Sequence, residues 1–313
     1  MQNTELRPLG AGEILDRAIT LYVRRFAVIA AVIAIAVVPI MVITALLAPQ
    51  SAGVWTSLAQ LMAAAGDPAA TRRAAETMAR QNDASAGAFV AIVVTALIRL
   101  VMWCALVRIV ATAYGGATAT IGGAYGFAMR RFAALLVVAL AFMMLGVFAM
   151  IPVIVLYVMV VFAVALLAAV QLVAGIVIGV VFGLVVIAAA VVAGSVIYMT
   201  FELASVAVLT ETANPIEAIG IAFRRAFGRG MKRRTLAGGL VLLVVSQAGA
   251  IPLVAVAALV TALTHNPILY YAIFGAGTVL LEGVIATYVI VFAVDARVRR
   301  EGYDLVLQGA LAP

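Results

Sequence analysis

Between Glu13 and Arg24 the polar residues fall at Glu13, Asp16, Arg17, Thr20 and Arg24, with Ile14, Leu15, Ala18, Ile19 and Tyr22 among them. That spacing gathers the polar set on one face of a helix. Gly10 followed by Glu13 allows a capping box with glycine in the N-cap slot. After Arg24-Arg25-Phe26 the period disappears, and Phe26–Ala48 is apolar on every side. It is long enough to cross a bilayer, which takes about 20 residues as a helix. Pro39 removes one backbone donor within it and predicts a kink.

The same order returns twice, at Thr118–Pro152 and Asn214–Pro252. A glycine-rich interfacial segment, Tyr114–Met129, leads into Arg130-Arg131-Phe132. From Ala133 to Leu209 the only charge is Glu202. This stretch exceeds one crossing, and the positive-inside bias at both ends argues against an odd number. Two crossings are predicted, about 133–157 and 180–209, with residues 158–179 either a helix extension or a membrane-embedded hairpin. Asn214-Pro215-Ile216-Glu217 is a strong helix start, with asparagine at the N-cap and proline in the first turn. The basic residues Arg229, Lys232, Arg233 and Arg234 follow it, then spans at about Leu236–Leu263 and Ile268–Val294.

With a second span at Ala88–Thr112, the pattern predicts an all-α integral membrane protein of about six transmembrane helices. They form three two-helix units, about 8–112, 113–211 and 212–300, each led by an interfacial amphipathic helix, within one helical membrane domain covering 1–313. The steps recur about every 100 residues, and an even number of spans between them makes the repeat parallel. Residues 49–87 read as an extracytoplasmic loop with a short helix at 68–81, capped by Asp67-Pro68. Residues 295–313 read as a cytoplasmic tail. Of the 20 Lys and Arg, all but Arg72, Arg73, Arg80 and Arg99 fall in or beside predicted cytoplasmic segments. Both termini are therefore expected in the cytoplasm, with the first span retained.

Composition agrees with this picture. Apolar residues make up 67% and charged residues 11% of the 313, against roughly 25% charged in a soluble domain. The net charge of +7 follows from positive-inside topology and does not call for nucleic acid. Cys104 is the single cysteine and lies in an apolar run, so no intrachain disulfide is possible. The one histidine, His265, falls in a predicted outer turn beside Pro267. No Cys/His cluster, nucleophile elbow or phosphate loop is present in the sequence. No metal, cofactor or catalytic residue is expected.

Three charges fall inside predicted spans: Arg99, Glu202 and Glu282. Intramembrane charges are costly and mark candidate sites. Counting back from Asp295 at ~1.5 Å per residue places Glu282 near mid-membrane. It needs a partner or a proton, and Arg99 is the one intramembrane cation available. Glu202 lies nearer the cytoplasmic end and is expected to reach water. Arg24, Arg25, Arg130, Arg131, Arg224, Arg225, Arg229, Lys232, Arg233 and Arg234 are candidates for contact with anionic headgroups.

The start LRPLGAGEILDRAITLYVRRF and the end VDARVRREGYDL resemble the bacterial family named for the glycerophosphoryl diester phosphodiesterase membrane domain. The segment ETANPIEAIGIAFRRAF is similar to that family's internal helix. The resemblance implies a six-span unit in the bacterial inner membrane. It implies no hydrolase activity, because the phosphodiesterase barrel and its paired histidines and acidic metal ligands are absent from this sequence. Two readings follow. One is a non-enzymatic inner-membrane protein that organises lipids or partner proteins at the cytoplasmic face. The other is a transporter or lipid-translocating protein with an Arg/Glu site in the membrane.

Overall fold

In the computed structural model, residues 9–47, 86–264 and 266–301 are described, together with 69, 72, 73 and 76. The described chain is all-helical, with no strand among these residues. Its helices are α1 (Ala11–Arg24), α2 (Phe26–Leu47), α3 (Ala86–Tyr114), α4 (Ile121–Val170), α5 (Leu172–Thr210), α6 (Pro215–Phe227), α7 (Lys232–Thr264) and α8 (Pro267–Glu301). Six of them, α2 to α5, α7 and α8, are long and apolar enough to cross a membrane. This is a multi-pass helical membrane architecture.

The local signals act as chemistry requires. Glu13 accepts the Gly10 amide at 2.7 Å and closes the expected capping box. The Asn214 side chain accepts from the Ile216 amide at 3.0 Å and caps α6. The α6–α7 turn is tight because Gly230 adopts a φ of 77°, a left-handed conformation that costs glycine little. Helices α2, α4 and α7 continue through Pro39, Pro152 and Pro252.

Residues 158–179 take the helix-extension alternative: α4 runs on to Val170, Gln171 interrupts the helix, and α5 begins at Leu172. One feature differs from the sequence reading. The glycine-rich segment is not set apart from its span. A turn ends at Thr120, whose hydroxyl accepts the Gly123 amide at 3.2 Å, and α4 then passes unbroken through Arg130-Arg131-Phe132. The proposed loop helix at 68–81 falls mostly outside the described residues; residues 69, 72, 73 and 76 are helical. Arg72 pairs with Glu76 at 3.0 Å. His265 and the tail beyond residue 301 also lie outside the described residues.

Packing groups the described chain into two units. The first contains residues 9–15, 133–244 and 289–301. In it α5 packs on α6, and α5 crosses α7 closely. A Cβ added at Gly239 would run into the backbone oxygen of Ser195, so only glycine fits. Gly179 meets Val164, which closes the α4–α5 hairpin near its tip.

The second unit contains residues 16–132 and 245–288. Here α2 packs on α3. Gly275 of α8 approaches Met41 and Val37 of α2, and Gly283 approaches Tyr22 and Ile29. Small residues allow such close backbone approach where lipid supplies no hydrophobic drive between helices. The Tyr125 hydroxyl donates to the Val32 carbonyl at 2.7 Å, tying the start of α4 to α2.

Candidate functional site

The charged chemistry of the first unit gathers at one end of its helices. Asp295 is fully buried near the end of α8 and accepts from Arg299 Nε at 3.0 Å and Arg234 Nη2 at 3.3 Å. Its Oδ1 also accepts the Leu9 amide at 2.7 Å. The Leu9 carbonyl in turn accepts from Arg234 Nη2 at 2.6 Å and Arg299 Nη2 at 2.7 Å. One residue of the entering chain is thus held through both backbone groups. Buried charges need this degree of pairing and hydrogen bonding to be tolerated.

A second cluster lies between α5 and α6. Glu211 closes the end of α5, and Arg225 reaches it with both guanidinium arms, at 2.7 and 2.6 Å. Arg297 Nε approaches the same carboxylate at 3.8 Å. Arg225 is 2% exposed. It shares the buried face of α6 with Ala218, Ala222 and Ala226.

These contacts correct the headgroup candidates. Arg225 is enclosed and Arg234 is turned toward Leu9 and Asp295, so neither is free to meet a headgroup. Arg25 and Arg131 are half-buried, and one Arg131 nitrogen is fully enclosed. Arg24 and Arg130 are exposed in the second unit. In the first unit Arg224, Arg229, Lys232 and Arg233 are exposed. Glu202 is a further correction. It was expected to reach water but is 3% exposed, and Ser205 donates to its side chain at 3.3 Å. It sits on the same face of α5 as the buried Met199 and Val206.

In the second unit, Arg99 of α3 meets Glu282 of α8, with Nη1 3.6 Å from Oε1. That is an ion pair without hydrogen-bond geometry. The Arg99 side chain is about half exposed and Glu282 is largely enclosed. On the same helix the Arg108 guanidinium lies 5.3 Å from the Phe127 ring centroid, a cation–π contact that the sequence reading missed. Among the described residues, no group of three or more His, Cys, Asp or Glu side chains is placed to hold a metal ion.

No family model, curated protein or solved structure matches this chain. Any functional reading therefore rests on the side chains themselves.

Proposed function

We propose that this is a non-enzymatic, multi-pass protein of the bacterial inner membrane that holds anionic lipid headgroups at its cytoplasmic face. One observation carries this reading. Of the acids in the first unit, Glu211 and Asp295 are consumed by internal pairs with arginines, and Glu217, exposed in the first turn of α6, accepts from the Thr212 hydroxyl. Arg224, Arg229, Lys232 and Arg233 are exposed. The result is a surface with more cations than acids, which an anionic headgroup complements. Each such residue near an anionic leaflet contributes about 1 kcal/mol. The positive-inside rule sets the orientation, with both termini cytoplasmic.

The family resemblance is part of the same proposal. The residues that carry it include Leu9 at one end and Asp295 and Arg299 at the other, and these residues bind each other. The three parallel units belong to the proposal as well, with separate lead helices in the first and third, α1 and α6. The competing reading, a transporter or lipid-translocating protein, assigns Arg99 and Glu282 to a substrate. Their direct contact at 3.6 Å favours a lock between α3 and α8.

The test is reconstitution of the full chain into phosphatidylcholine bilayers with a minority of phosphatidylglycerol. Lipid co-purifying with the protein is expected to be enriched in phosphatidylglycerol. Enrichment should fall when Arg224, Arg229, Lys232 and Arg233 are all changed to Gln. Lipid or solute flux that depends on Glu282 would instead establish the transport reading.

A further inference from the structure

Helices α4 and α5 leave a groove between them. Phe142 and Met143 of α4 and Gly194, Ile197, Tyr198 and Phe201 of α5 line this groove, which is shallow, widely open and about 300 Å³ in volume. Apart from the Tyr198 hydroxyl the named side chains are apolar. Gly194 contributes space, since a Cβ added there would meet nothing within 4 Å. Phe201 and Gly194 lie roughly 14 and 24 Å in from the Thr210 end of α5 by the helical rise of ~1.5 Å per residue. That is the depth reached by the far part of an acyl chain, around the middle of a ~30 Å hydrocarbon core.

The wall of the groove continues to the cationic surface through a row of rings. Phe142 stands edge-on to Phe201 at 5.8 Å and stacks on Phe223 of α6 at 6.1 Å. Phe223 stacks on Phe227 at 5.6 Å. Arg224 follows Phe223 in the chain and is exposed. The Thr235 hydroxyl donates to the Ala226 carbonyl at 3.0 Å, which holds the first turn of α7 against the end of α6. Lys232 and Arg233 are carried on that turn.

We propose that the groove is a lipid site. One acyl chain of an anionic phospholipid lies between α4 and α5, and its phosphate rests on Arg224 and the neighbouring Arg229, Lys232 and Arg233. This rests on the headgroup reading above and adds a fixed apolar place for one chain. Charge complementarity selects the occupant: a zwitterionic lipid offers the same chain without the net negative charge. Lipid tails are as apolar as the lining, so leaving bulk lipid for the slot brings little hydrophobic gain. The groove therefore supplies fit, and the cations supply selectivity.

The full chain in neutral detergent is titrated with phosphatidylglycerol or phosphatidylcholine, and bound lipids are counted by native mass spectrometry. The wild type is expected to hold its first phosphatidylglycerol about tenfold more tightly than phosphatidylcholine, a difference of about 1.4 kcal/mol. Gly194→Leu fills the slot and should weaken that first site about tenfold. Met143→Trp fills it from the α4 wall and answers the question if Gly194→Leu does not fold. Changing Arg224, Arg229, Lys232 and Arg233 together to Gln should erase the headgroup preference. If the filled-groove variants bind like wild type while the charge variant loses its preference, headgroup contact stands and the groove site is overturned. If filling weakens binding but the charge variant keeps its preference, the phosphate assignment is overturned. If neither change has an effect, the groove site and the headgroup reading both fall.

Discussion

Arg225 holds Glu211 in a two-pronged grip, with Nη1 2.7 Å from Oε1 and Nη2 2.6 Å from Oε2. The Arg225 side chain is 3% exposed and that of Glu211 14%. Removing one partner of such a pair leaves a charge stranded and costs about 3–5 kcal/mol, whereas removing both is often near neutral. Arg225→Ala should therefore lower the thermal midpoint of the detergent-solubilised protein steeply. Arg225→Met combined with Glu211→Leu should recover part of the loss, since Arg297 then loses the carboxylate it approaches at 3.8 Å. Arg225→Lys should fall between, because an ammonium cannot form the fork. An Arg225→Ala protein as stable as wild type would remove the pair from any account of the fold.

Arg225 also shows where sequence reading runs out. Within a run of arginines it looked like a headgroup ligand. The phase of α6 carried the missing signal: Ala218, Ala222, Arg225 and Ala226 repeat at helical spacing, so Arg225 belongs to the small-residue face that packs on α5. Arg99 and Glu282 were legible because a charge in an apolar span must find a partner, and few were available. Residues 158–179 were not legible, because an apolar run without a period does not mark where a helix stops. The six spans were legible from length and hydropathy alone, and α6 from its cap.

The Arg99–Glu282 pair invites a double-mutant cycle. Polar pairs between membrane helices couple by roughly 0.5–1.5 kcal/mol. Arg99→Gln and Glu282→Gln should each destabilise the protein, and the double variant should lose less than their sum. Thermal or denaturant unfolding in detergent measures this. Additive losses would mean that α3 and α8 are not locked by this contact.

Tyr22 makes stability sensitive to alkali. Its hydroxyl is buried and has no hydrogen-bond partner among the described residues, and burial pushes the phenol above its usual value of 10.0. Below that value both folded and unfolded chains keep the proton. As pH rises past it, the unfolded chain ionises first, so stability falls until the folded phenol ionises too. Tyr22→Phe removes both the orphan hydroxyl and this linkage. The variant should match or exceed wild type at neutral pH, and its advantage should widen above about pH 10. An advantage that stays constant across that range would show that Tyr22 is not the titrating group.

The α4–α5 hairpin is longer than one bilayer crossing. Helix α4 has 50 residues, about 75 Å at 1.5 Å per residue. The hydrocarbon core is about 30 Å thick, and tilts up to about 40° lengthen the path only modestly. No charged residue occurs between Arg131 and Glu202 to favour water. Val158 and Phe162 on α4 and Val181 and Leu184 on α5 are exposed. Leaving such side chains in water forgoes about 1.5–3 kcal/mol each. Lipid or protein must therefore cover the distal hairpin. Val158→Cys and Val181→Cys are expected to resist a charged, membrane-impermeant maleimide added to either side of sealed vesicles, and to react fully after denaturation. The native Cys104 is buried and gives a low background. Rapid labelling of either engineered position in the folded protein would place the hairpin in water and require a different topology for α4 and α5.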